Sequence, residues 1–163
     1  MKKLLIIRHA KSSWDLSSMN DFDRPLNDRG HRDAPIMAKR LLDKQISIDA
    51  FISSTAKRAF TTATYFAEAY GLKEKNIIKV PELHHAAASV FYNVIGKVDN
   101  AYNTIAVFSH NPGISEFVNE LTDTKIDDMP TCGIFAVTVH TDNWKDFLSA
   151  KKDFWFFDYP KAI

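Results

Sequence analysis

The chain alternates short apolar runs with stretches in which apolar residues recur every three or four positions. The first run, "LLII" at 4–7, is apolar on both faces and β-branched at its end, which predicts a strand buried on both sides. Residues 15–29 are polar, contain Pro25 and read as a loop. Ala34, Met37, Ala38, Leu41 and Leu42 mark one helical face, with Pro35 in their midst. Proline suits a first-turn position, so a regular helix is expected from about Pro35, after a broken turn near "NDRGHR". "IDAFISS" (48–54) predicts a second strand, and the helical spacing from Ala56 to Tyr70 a helix closed by Gly71. "NIIKV" (76–80) is a third strand ended by Pro81, and Ala87, Val90, Phe91, Val94, Ile95 and Val98 mark another helix. "TIAVFS" (104–109) is a fourth strand, and "NPGISEFVNELT" a helix with Asn111 as N-cap and Pro112 at its first position. "GIFAVTVH" (133–140) and "DFWFFDY" (153–159) predict two final strands, with a turn near "TDNW".

Strand and helix thus alternate until the end of the chain. That order predicts a three-layer α/β/α sandwich with a mostly parallel central sheet. The last two strands have no helix between them, so one antiparallel edge strand is expected. No repeat or Pro/Gly-rich linker interrupts the pattern, and 163 residues suit a single domain over 1–163. The short run from Pro81 to the fourth strand leaves no room for a large cap insertion.

Three strand exits carry polar residues of chemical interest. The first releases Arg8 and His9, the second leads to Arg58 in the first turn of the next helix, and the fourth releases Ser109 and His110. In an open parallel sheet, ligands bind at the carboxyl ends of the strands. Two arginines and two histidines from distant parts of the chain would meet there, beside helix N-termini. Such a pocket is cationic and rich in donors, and it suits a tetrahedral oxyanion such as phosphate. A neutral imidazole at a strand tip can attack phosphorus and form a covalent phosphohistidine.

Composition narrows the rest. A formal net charge of +1 supplies no field for nucleic acid or anionic lipid, so neither is expected as a partner. The four-residue apolar run near the start is too short for a signal-peptide core, and no segment approaches the roughly 20 apolar residues of a membrane span. A cytoplasmic protein is expected, and its one cysteine, Cys132, fits a reducing compartment. "AKSS" at 10–13 superficially suggests the end of a P-loop, but no glycine precedes Gly30. The histidines lack HExxH spacing, so no metal and no cofactor are expected. "DFD" (21–23) and "DD" (127–128) read as solvated loop acids, and His31 and His140 as exposed bystanders.

"RHAKSSWD" resembles the Arg-His-Gly/Ala signature of the histidine phosphatase (phosphoglycerate mutase-like) superfamily. "SSTAKRAFTTA" is similar to that family's second-arginine segment, and "FSHNPGISEFVNEL" to its second-histidine segment. "DFDRPLNDRGHRDAPIMAKRL" and the short length look like the SixA-type phosphohistidine phosphatase branch. The resemblance implies His9 as nucleophile, Arg8 and Arg58 as grips on the phosphoryl oxygens, and His110 as a donor to the same oxygens. Ser12, Arg24, His85 and Asn111 are candidate substrate-binding residues. Asp15 stands where larger relatives have Asn, and a carboxylate there would repel phosphate. Mutase-like members carry a Glu as proton donor after the third strand; here "PELHHA" puts His85 at that position and Glu82 three residues earlier, so both are candidates.

A phosphate ester needs its leaving alkoxide protonated, whereas phosphohistidine leaves as imidazole, whose conjugate acid has a pKa of about 6.5. The missing Glu therefore favours phosphohistidine on a partner protein as substrate. The alternatives are a phosphomonoesterase for a small phosphorylated metabolite, with Glu82 or His85 as acid, and a binding module that holds phosphorylated ligands without turnover. The oligomeric state is not legible at this level.

Overall fold

Among residues 1–14 and 20–162, which the computed structural model describes, six strands form one sheet. They are β1 (Lys2–Arg8), β2 (Ala50–Ser53), β3 (Ile78–Lys79), β4 (Thr104–Ser109), β5 (Ile134–Val139) and β6 (Lys152–Asp158). Their order across the sheet is β3-β2-β4-β1-β5-β6. The first four run parallel, β5 pairs antiparallel with β1, and β6 antiparallel with β5. The strand opposed to its neighbours is therefore β5, one place in from the edge, and the edge itself is β6. Two strands joined without a crossover helix must pair antiparallel, which is what the absence of a helix after β5 enforces.

Four helices cover the sheet: α1 (Asp28–Asp43), α2 (Lys57–Ala69), α3 (Ala88–Gly96) and α4 (Gly113–Leu121). Alternate residues of β1 face opposite layers. Leu5 and Ile7 pack with Met37 and Leu41 of α1 and Phe66 of α2, whereas Leu4 and Ile6 pack with Phe91 of α3 and Phe117 of α4. All four residues of the "LLII" run are fully buried, each burial contributing roughly 1.5–3 kcal/mol. The continuous apolar run is thus the signature of a central strand sandwiched between two helical layers.

Two helix starts differ from expectation. Helix α1 begins at Asp28, seven residues before Pro35, because the Asn27 side chain accepts from the Gly30 N–H and caps it. Pro35 sits inside the helix and forfeits only one backbone bond, the one otherwise made to the His31 carbonyl. Helix α4 begins at Gly113 with Pro112 as its N-cap and no side-chain cap. Asn111 is drawn away instead: its amide donates to Asp128 Oδ1 at 2.9 Å and to the Met129 carbonyl at 3.0 Å. Gly71 closes α2 as expected, with a left-handed φ of 78°.

Candidate active site

Strands β1 and β4 are neighbours, paired with Arg8 opposite Ser109. Beyond them the chain diverges. After β1 it reaches α1 on one face of the sheet, and after β4 it enters α4 on the other. A crevice must open between two adjacent parallel strands whose connections part in this way. His9 and His110, the residues next after the paired positions, stand on its two sides with ring centroids 5.2 Å apart. The crevice has a volume of about 240 Å³, and Arg8, Ser12, Arg24, Arg58, His85 and Asn111 also line it.

His9 is buried, with Nδ1 2.7 Å from the Ala10 carbonyl. A carbonyl only accepts, so Nδ1 carries the ring proton and Nε2 keeps its lone pair. Burial pushes the His9 pKa down to about 3, against the opposing pull of the Ala10 bond and with Arg8, Arg58 and Arg24 adding to the depression. The ring is neutral at neutral pH and nucleophilic at Nε2. The turn that holds it is fastened in turn: the Ala10 N–H donates to Thr62 Oγ1 on α2, and Thr62 donates to the Arg58 carbonyl.

His110 Nε2 lies 2.8 Å from Ser54 Oγ, just past the end of β2. That hydroxyl accepts from the Ala56 N–H and has its own proton available for Nε2. When it donates that proton to Nε2, Nδ1 carries the ring hydrogen and is a donor. Burial lowers the His110 pKa far below the usual histidine range, and His9 and Arg58 lower it further. Both histidines are thus neutral, one a nucleophile and the other a hydrogen-bond donor.

Four buried side-chain nitrogens lack a hydrogen-bond partner among the described residues: Nε of Arg8, Arg24 and Arg58, and Nδ1 of His110. All four belong to residues of this crevice. Leaving a buried donor unpaired costs about 1–3 kcal/mol, so a cluster of them marks a place where the protein keeps donors for a ligand rich in acceptors. Several of the other guanidinium nitrogens are committed. Arg8 Nη1 donates to the Met129 carbonyl at 2.9 Å, and Arg24 Nη1 to Ser12 Oγ at 2.6 Å. Burial lowers the pKa of Arg8 and of Arg58 from the usual arginine value, without taking either out of its charged form at neutral pH.

Asp21 departs most from expectation. It is no solvated loop acid but part of the crevice. Its Oδ2 accepts from Arg58 Nη2 at 3.0 Å and from His84 Nε2 at 3.1 Å, and lies 3.2 Å from His85 Nε2. Its Oδ1 accepts from Arg24 Nη2 at 3.1 Å, and its carbonyl from Arg58 Nη1 at 2.6 Å. Burial alone would raise its pKa, but the bonds from His84, Arg58 and Arg24 outweigh burial and hold the carboxyl far below the usual range. Two adjacent histidines reach one oxygen because His85 has a left-handed φ of 58°, which folds its ring back over His84 at a centroid distance of 4.0 Å. A non-glycine residue in that region is strained, and here the ring contacts hold it.

Asp21 Oδ2 and the two Nε2 atoms lie within 4.8 Å of one another, a spacing at which three ligands can share a cation. Arg58 Nη2 is bonded to the same oxygen, however, so an incoming cation would face a guanidinium. The set fits a hydrogen-bonded carboxylate better than a metal centre.

The crevice therefore gathers His9, Arg8, Arg58 and His110, with Ser12, Arg24 and His85 around them. Asn111 lines it too, but its amide is tied to Asp128 and Met129, and its Oδ1 to Ser115. Glu82 is not there: it is exposed and lines a separate groove with Val80 and Val94, which corrects its candidacy as proton donor. The 3-10 turn at Pro81–Leu83 carries Glu82 away from the crevice, and only the residues after it turn back. Asp15 lies outside the described residues. Asp21 and Thr62 emerge only from the tertiary structure, and His84 enters beside the candidate His85. Ser54 had a legible signal, since it sits at one of the three strand exits that carry the site.

A neutral imidazole with its Nε2 lone pair free, among guanidinium donors at the carboxyl edge of an α/β/α sandwich, is an arrangement suited to phosphoryl transfer. Comparison with known proteins makes that specific. The family described as histidine phosphatase superfamily (branch 1) matches residues 4–91. An uncharacterised chloroplast protein of Arabidopsis thaliana is 29% identical over 153 residues, covering 89% of this chain and 70% of its own. Phosphoserine phosphatase 1 of Hydrogenobacter thermophilus is 35% identical over 85 residues, 49% of this chain and 39% of its own. The solved structure of the protein histidine phosphatase SixA complexed with tungstate superposes with a TM-score of 0.81 at 22% identity, covering 97% of each chain. At that identity the likeness is one of fold. With more than half its length matched by the family, the chain belongs to the histidine phosphatase superfamily (branch 1) and is a hydrolase of the phosphatase type.

Proposed function

We propose that the protein removes the phosphoryl group from phosphohistidine on another protein, through a covalent phosphohistidine at His9. The observation that carries this reading is the state of the crevice's carboxylate. Asp21 is held ionised by three partners, and Glu82 lies elsewhere, so among the described residues no protonated carboxyl lines the crevice. A phosphohistidine ring protonated by solvent on its second nitrogen departs as neutral imidazole and needs no such acid, whereas an alkoxide does.

In this reading His9 Nε2 attacks phosphorus in line, Arg8 and Arg58 neutralise the equatorial oxygens, and His110 Nδ1 donates to one of them. Water then hydrolyses the phosphoenzyme. Ser12 acts through Arg24, which it anchors. The fold likeness to a SixA structure that holds tungstate, a tetrahedral oxyanion, is consistent with this use of the crevice.

A second reading, hydrolysis of a small phosphate ester, draws on the match to a phosphoserine phosphatase and on His85, which lines the crevice and would serve as acid. A non-catalytic binding module is disfavoured because it needs no nucleophile. Turnover of a phosphohistidine-bearing protein, set against a panel of sugar and nucleotide phosphates and phosphoserine, separates the readings. The expected result is the highest kcat/KM on phosphohistidine. A large preference for one of the esters overturns the proposal.

A further inference from the structure

An ionised carboxylate in a phosphate crevice is a contradiction that needs an answer. The Asp21 side chain is 39% exposed, lines the crevice and carries a full negative charge into a site otherwise built from guanidinium and imidazole donors. Toward a plain phosphate ester, which offers oxygens alone, that charge only repels. Toward a phosphorylated imidazole it does the reverse once the ring's second nitrogen is protonated, because that nitrogen is then an N–H donor on a cationic ring.

We propose that Asp21 is a specificity-determining residue that accepts the second ring N–H of a phosphohistidine substrate, and so selects phosphoramidates of imidazole over phosphate esters. This rests on the function proposed above and deepens it. Three observations carry it. Asp21 already takes an imidazole N–H in this structure, that of His84 at 3.1 Å, with His85 Nε2 at 3.2 Å. Its Oδ1 has one side-chain partner among the described residues, Arg24, which leaves acceptor capacity there. Aromatic surface also lines the crevice: Trp14, stacked under Arg24 at 3.7 Å, is 73% exposed. A planar ring has a surface to lie against as well as a carboxylate to bind.

The chemistry balances without an enzyme acid. His9 Nε2 forms its bond to phosphorus as the P–N bond of the substrate breaks. The electron pair of that bond goes to the substrate ring, which already carries a proton on its other nitrogen and leaves as neutral imidazole, that N–H still on Asp21. Water then adds to the phosphorus of phospho-His9, the P–N bond to His9 breaks, and its electron pair returns to Nε2. Inorganic phosphate and the water's protons are released.

The test compares two substrates in the full-length protein: a phosphohistidine peptide and p-nitrophenyl phosphate, whose leaving phenolate needs no proton. If the wild type fails on the phosphohistidine peptide, the proposed function falls. If it succeeds, Asp21→Asn decides the present point. The ratio of kcat/KM for phosphohistidine to that for the ester should fall on the order of tenfold or more, the loss of a charge-assisted hydrogen bond. Because both rates come from one preparation, any loss of folded protein cancels from the ratio. Asp21→Glu, which keeps the charge, should restore at least part of it. A ratio for Asp21→Asn that falls less, holds or rises overturns the proposal: a holding ratio makes Asp21 a brace for Arg58, and a rising one makes it an aid to His85 in protonating esters.

Discussion

Burial of a neutral His9 makes the stability of this protein depend on pH in a way that can be worked out in advance. In the unfolded chain the imidazole takes a proton below about pH 6.5. In the folded chain burial holds its pKa near 3. Between those values the unfolded state binds more protons than the folded one, so stability rises with pH and is lost as pH falls. At about pH 4.5, two units below the unfolded value, the loss from His9 alone is about 2.7 kcal/mol. Any folded pKa below about 4 gives that figure within about 0.3 kcal/mol, so the result depends on burial and not on the exact depression. Against a total stability of about 5–15 kcal/mol this is a large fraction. The assay is urea unfolding of wild type and His9→Asn at neutral pH and at about pH 4.5. With an m-value of about 2 kcal/mol/M, the wild-type midpoint should drop by about 1.3 M more than that of the variant. His110 and Asp21 also lose stability toward acid, but they do so in both proteins and cancel from the difference. Midpoints that fall in parallel, within about 0.3 M, would refute the claim that His9 is buried in its neutral form.

Three further predictions concern the crevice and its walls. His110→Ala should slow formation of the phosphoenzyme by roughly a hundredfold or more in single-turnover kinetics, and Ser54→Ala by roughly tenfold through loss of the tautomer it imposes; an unchanged rate in Ser54→Ala would mean the hydroxyl sets nothing. A Cβ on Gly113 would lie 1.7 Å from the Ala86 carbonyl, so Gly113→Ala must push α4 from the turn that bears His85. It should destabilise the fold by roughly 1–3 kcal/mol in urea unfolding, and an unmoved midpoint would contradict the close approach.

Much of this was legible in the order of residues because it is decided locally. A strand buried on both faces needs a continuous apolar run, and a helix against a sheet needs apolar residues at its own period; both patterns are written along the chain. Polar residues at the ends of such runs therefore announced Arg8, His9, Arg58 and His110. Pro35 misled, because the capping side chain of Asn27 and one forfeited backbone bond outweigh a proline's preference for the first turn. Asn111 misled for the opposite reason: its partners, Asp128 and Met129, are distant in sequence.

What the sequence by itself determined is the alternation of elements and the polar residues that follow the strands, Arg8, His9 and His110 at strand tips and Arg58 in the first turn of a helix, since strand length and apolar period are properties of neighbours along the chain. Tertiary structure alone decided that β5 lies inside the sheet, that Ser54 sets the proton on His110, and that Asp21 turns inward to meet Arg58, Arg24 and His84. A carboxylate in a loop has no period to betray it. Its place depends on which donors the rest of the fold leaves uncovered, and that is known only once distant segments have packed together.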